Sequence, residues 1–243
     1  MNPSISTAEK KESELALRIK VDKPAKEIVF KILLFCGILS SLLYVVMNVV
    51  VAMLYAGYSS VSQTVSELSA IGAPTRQLWF FLGIAYSLLM AAFGIGICQS
   101  AARNHSLKIM GALMLAYGTI SLFWPPMHQR QVLATGGATF TDTMHIVFTV
   151  VTVLLMVLAI GYGAVAFGKR FCLYSIITLV LLCVFGTLTG LAAPHVQANL
   201  PTPLVGVWER INIGVFLLWV VILAIALLKM KTGKDQLKTE MPD

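Results

Sequence analysis

Apolar and polar positions along the chain segregate into six long apolar runs, separated by connections that alternate between short and long. The runs cover residues 29–56, 78–101, 107–124, 144–167, 171–192 and 207–229. Each comes close to the about 20 residues a helix needs to cross the hydrocarbon core of a bilayer. The expected fold is therefore an all-α membrane protein, a six-transmembrane-helix bundle. Its parts are a basic tail over 1–28, the helical domain over 29–230 and a second tail over 231–243. An even number of crossings puts both termini on the same side.

Composition agrees with this pattern. The 243 residues are 58% hydrophobic and only 12% charged, where a soluble domain would be about half apolar and about a quarter charged. The formal net charge of +7 gathers at the chain ends and in the short connections. That is a topology signal rather than a nucleic-acid surface, and no nucleic-acid partner is expected. Fifteen of the eighteen Lys and Arg residues fall in the two tails, in the short connections "ARNHSLK" and "GKRF", and at the tail-side ends of the first and last runs (Lys31 and Lys229), against Arg76, Arg130 and Arg210 in the long connections. The excess of basic residues in cytoplasmic segments then predicts cytoplasmic termini in a multi-pass protein of the cytoplasmic membrane. Trp79, Trp124 and Trp208 all fall at the outer boundary, as an aromatic belt requires.

The first 26 residues hold no apolar stretch with a small-residue cleavage site, so the first span is expected to be an uncleaved anchor. Within them, "KKESELALRIK" reads equally well as a weak amphipathic helix on the inner leaflet or as a disordered positive anchor. The four cysteines show no C-x-x-C spacing and none is placed for an outer-loop disulfide.

The long outer connections are rich in Pro and Gly: "YSSVSQTVSELSAIGAPTRQ", "PPMHQRQVLATGGATFTD" and "PHVQANLPTPLVGVWER". Within the first, Ser60 and Gln63 have capping-box spacing. Val61, Val65, Leu68 and Ile71 recur near the helical period, and Gly72 and Pro74 end the pattern. The segment "SVSQTVSELSAI" is therefore expected to form a short amphipathic helix at the outer interface. Its Glu67 either pairs with Arg76 in water or turns inward toward Asp142 and Arg210.

Between the two tails the only carboxylates are Glu67, Asp142 and Glu209, all outer, joined there by His128, His145 and His195. Nothing charged lies near the middle of a span, where ion-coupled transporters and pumps usually place such groups. Asp142 and His145, three residues apart, share a helix face. Asp142 also suits a helix N-terminus, and His195 a helix C-terminus. Two histidines and a carboxylate can bind zinc, so His128, His145, His195 and Asp142 form a candidate metal set. Glu209 and Arg210 are adjacent and must diverge by about 100° on a helix. Arg210 can bind a phosphate, pair with Glu67 or Asp142, or snorkel to the interface.

The motif "YSSVSQTVSELSAIGAP", with "FWPPMH", the downstream "DTMH" and "WERINIGVFLLW", resembles the prokaryotic integral-membrane family known as domain of unknown function 998, over about residues 30–230. The resemblance implies a six-helix membrane fold without an established activity. It marks Ser66, Glu67, Gly72, Pro74, Asp142, His145 and Arg210 as family-type positions. At "FWPPMH" the chain departs, with Met127 and His128 where the family pattern has an acid. A Ser, an Asp and several His at one membrane face are also similar, more loosely, to the hydrolases that include alkaline ceramidases. Those proteins have seven spans and an H-x-x-x-H pair that is missing here.

Three functions follow as expectations. The first is an outward-facing polar pocket for a small molecule, lipid headgroup or partner, walled by Ser66, Glu67, Asp142, His145, Glu209 and Arg210. The second is a metal-dependent hydrolase of a lipid amide or ester, with zinc on the histidines and Glu67 or Asp142 activating water. The third is a non-catalytic assembly subunit.

Overall fold

The computed structural model describes residues 3–240, with side chains for residues 25–230. Among the described residues the chain forms α1 (Pro3–Leu54), a 3-10 turn (Val65–Ser69), α2 (Arg76–Ser100), α3 (His105–Ser121), α4 (Arg130–Ala134), α5 (Phe140–Ala166), α6 (Lys169–Gln197) and α7 (Val205–Glu240). The tail segment "KKESELALRIK" is helical within α1; its side chains lie outside the described residues. α6 runs through Pro194 to Gln197, so His195 sits in its last turn rather than beyond it.

Among the described residues five helices are long and apolar enough to cross a membrane: Ala25–Leu54 of α1, α2, α5, α6 and Val205–Met230 of α7. The run expected to be the third span is the shorter α3, with 17 residues. At 1.5 Å per residue it is about 25 Å long, less than the roughly 30 Å hydrocarbon core. It stops at Ser121 instead of 124 because Pro125 has no N–H to bond the Ser121 carbonyl four residues back, and Trp124, the residue before it, is pushed out of the helical region. From there the chain runs without helix to Arg130.

α2 and α3 form a close antiparallel pair. A Cβ at Gly94 would collide with the backbone of Leu115, one at Gly118 with the backbone of Ala91, and one at Gly111 with Cys98. Small residues at such crossings let helix backbones approach closely, the main source of helix association in lipid. Phe93, Met90, Met110, Met114, Phe216 and Trp219 fill the buried core, where the Trp219 indole N–H donates to the Ser175 hydroxyl at 3.0 Å. Large apolar side chains also cover the outside, including Leu42, Phe80, Val150, Val180 and Leu218. An apolar exterior of this extent belongs against lipid chains.

Candidate functional site at the loop end

The three long connections meet at one end of the bundle. The first differs from the expected amphipathic helix: residues 55–63 are turns, and helical geometry is confined to the 3-10 turn. The capping contact expected at Ser60 lies one residue earlier. There the Gln63 side chain accepts the Ser59 N–H at 2.8 Å and closes a turn. The helical turn starts later, at Thr64, because the Glu67 carboxylate folds back to accept the Thr64 N–H at 2.7 Å and the Thr64 hydroxyl at 3.0 Å. Gly72, at a φ of 92°, then reverses the chain in a conformation glycine adopts without strain.

Glu67 is buried, and its partner is Arg130. The guanidinium grips both carboxylate oxygens, Nε to Oε1 at 2.7 Å and Nη2 to Oε2 at 2.7 Å, a two-pronged geometry that only arginine provides. Nη1 of the same arginine donates to the Thr202 hydroxyl at 3.2 Å, and that hydroxyl donates to the Ser62 carbonyl at 2.8 Å. One ion pair thus ties all three connections together. Burial works against the charged carboxyl of Glu67, but the bonds from Arg130, Gln63 and Thr64 outweigh it and hold its pKa below the ordinary 4.5. Glu67 turns neither to Arg76, which is exposed, nor to Arg210.

Asp142 repeats this chemistry at the start of α5. Its Oδ2 accepts the Thr139 N–H at 2.8 Å and the Thr139 hydroxyl at 3.0 Å, satisfying donors that an α-helix leaves open at its N-terminus. It also accepts the His128 N–H at 2.7 Å and binds His128 Nδ1 at 2.8 Å. Next to it, the Ile71 N–H donates to the Met127 carbonyl at 2.7 Å. His145 is buried with Nδ1 2.8 Å from the Pro125 carbonyl, and the Trp124 ring stands edge-on to it at 5.3 Å. His195 is exposed at the end of α6. Of the proposed metal set, then, Asp142 and His128 meet, while His145 is turned to a backbone carbonyl. Among the described residues no group of three or more His, Cys, Asp or Glu is placed to hold a metal ion. Ser66, marked by the family resemblance, is half-buried in the 3-10 turn, and its carbonyl accepts the Ser69 hydroxyl at 3.1 Å.

At the start of α7 the two adjacent charges diverge. Glu209, half-buried, accepts the Val65 N–H at 2.6 Å. Arg210 reaches across to α1: Nε donates to Asn48 Oδ1 at 3.0 Å, and Nη2 to the Tyr58 hydroxyl at 2.6 Å. Nη1 faces the carbonyls of Ser60, Gln63 and Gly206 at 2.8, 3.2 and 3.0 Å, and the guanidinium carbon lies 5.7 Å from the Tyr58 ring centre. Gly206 makes this possible, since a Cβ there would collide with the Ser60 and Gln63 carbonyls. Burial pushes the Tyr58 phenol up to about 12 despite its bond to Arg210, so the phenol stays neutral near pH 7. Among the described residues no carboxylate forms an ion pair with Arg210. An open recess of about 330 Å³ lies beside it, lined by Asn48, Val49, Ala52, Met53, Ser60 and Arg210.

Glu67 and Asp142 are therefore brought to the same loop cluster but each to its own partner, Arg130 and His128, and Glu209 and Arg210 flank it. Sequence reasoning missed Arg130, Thr202, Tyr58 and Asn48 as participants. Arg130 had one visible signal, being one of only three arginines in the long connections.

A chain whose described residues are helical, with five long apolar helices among them, is a multi-pass membrane protein. The sequence model of a family described as a protein of unknown function, DUF998, matches residues 38–226, and the chain belongs to that family. Neither a curated protein nor a solved structure matches it.

Proposed function

We propose that this is a cytoplasmic-membrane protein with both termini inside, whose outward loop end binds an anionic ligand at Arg210 without transforming it. The observation that carries this reading is the contrast in charge balance at that end. Glu67 and Asp142 are each committed to a partner, whereas Arg210 has only neutral hydrogen-bond acceptors and, among the described residues, no carboxylate in ion-pair contact, and it borders an open recess.

The connectivity supports six crossings. α2 leaves the loop end at Arg76, α3 returns alongside it, and residues 122–128 extend the return until Met127 meets Ile71 and His128 meets Asp142. An extended chain covers about 3.3 Å per residue, enough to complete the distance that a helix of 17 residues leaves open. With the fifteen inner Lys and Arg residues, six crossings give cytoplasmic termini.

Two measurements test this reading. Single cysteines placed at Arg76 and at Arg103, both exposed, in a cysteine-free background should react with an impermeant thiol reagent from outside and from inside, respectively. Purified protein should be stabilised by anions in an Arg210-dependent way. The opposite labelling pattern, or stabilisation indifferent to Arg210→Gln, would remove the proposal. The metal-dependent hydrolase requires His128 to leave Asp142 and His145 to leave Pro125. Stoichiometric zinc in the purified protein would bring that reading forward.

A further inference from the structure

We propose that the recess beside Arg210 holds the phosphate of an anionic glycerophospholipid, with an acyl chain lying along α1. This rests on the anion-binding reading above and names its ligand.

Donor arithmetic comes first. A guanidinium has five N–H groups. Nε has the Asn48 carbonyl oxygen, Nη1 has three carbonyls for two hydrogens, and Nη2 has the Tyr58 hydroxyl for two hydrogens. One Nη2 N–H is left over. Two more recess-lining groups are free donors among the described residues: the Ser60 hydroxyl and the Asn48 amide NH₂ make no hydrogen bond. Three donors and one cation with no acid in the lining call for an anion with several acceptor oxygens. A phosphodiester supplies them, and an ammonium headgroup would find no partner there.

The rest of the lining is apolar and points to the rest of the ligand. Val49 and Met53, one turn apart on α1, are 55% and 80% exposed. The exposed strip continues along the helix through Val45 and Leu42. A free phosphate has no use for this wall, whereas an acyl chain buries against it at roughly 0.8 kcal/mol per CH₂. The recess also lies where α1 ends, at Leu54, and α7 begins, at Val205. A phosphate held there sits at headgroup level while its chain follows α1 into the bilayer.

The test is a titration of the full chain in neutral detergent, followed by native mass spectrometry, with phosphatidylglycerol, phosphatidylcholine, diacylglycerol, palmitate and inorganic phosphate as probes. Saturable binding of phosphatidylglycerol, weaker binding of the other four, and an about tenfold loss in Arg210→Gln are expected. Ala52→Trp fills the recess without removing any Arg210 bond, so it should abolish binding; it decides the matter if Arg210→Gln does not fold. Arg210-dependent binding of inorganic phosphate or palmitate as tight as that of phosphatidylglycerol overturns the lipid assignment and leaves anion binding standing. Phosphatidylglycerol binding unchanged in both variants overturns the site. No Arg210-dependent binding of any probe overturns this inference and the proposed function together.

Discussion

Two guanidinium groups sit at the same end of this bundle and have opposite electrostatics. Arg130 is buried, and both prongs of its fork are on the Glu67 carboxylate. Arg210 makes five bonds to the four of Arg130, but every acceptor is neutral: three carbonyls, an amide and a phenol. Satisfying hydrogen bonds and balancing charge are separate requirements, and only Arg130 meets both. The first arginine is thereby assigned to holding the loops together. The second retains a field that an anion at the membrane surface can complete.

The largest effect should come from breaking the balanced pair. Removing one partner of a buried ion pair strands the other and costs about 3–5 kcal/mol. Glu67→Gln and Arg130→Met should each lower the melting temperature in detergent by many degrees, while Arg76→Gln changes it little. Equal effects at Arg76 and Arg130 would contradict the pairing. Next comes Asp142→Asn, which weakens the α5 cap and the hold on His128, for about 2 kcal/mol. Its variant should show faster amide exchange at residues 125–130. Gly206→Ala should follow, costing about 1–3 kcal/mol as the first connection lifts off α7.

A smaller effect concerns pH. The folded pKa of Glu67 lies below its ordinary 4.5, so the pair's stabilisation is fully present above that value and is lost as pH falls through the folded pKa. Acid melting curves of the wild type should steepen below about pH 4.5, and Glu67→Gln should remove that component. A variant whose acid profile matches the wild type would show that Glu67 does not carry the charge assigned to it.

The helices and their membrane character were legible because they depend on run length and mean hydropathy, +0.83 over the chain, which need no knowledge of partners. The end of α3 was less so, since the restriction from Pro125 acts several residues upstream. The first connection misled because Ser60 and Gln63 have the spacing of a cap, while Thr64 and Glu67 have it too. What decides between them is the Glu209 carboxylate taking the Val65 N–H from 144 residues away, together with Arg130. Long-range choices of that kind leave no periodic trace. The charges of the long connections were visible as a set, but their pairing was not. Glu67 had Arg76 and Arg210 as its candidate arginines, and the fold selects a third, Arg130, held by Thr202 and Ser62.

The most direct test of the division between the two arginines is the melting temperature of the full chain in neutral micelles, with and without added phosphatidylglycerol. The account predicts an upward shift of several degrees for the wild type, as ligand linkage requires at concentrations of about 100 times Kd, and its near loss in Arg210→Gln. Shifts of equal size in the two proteins would contradict it.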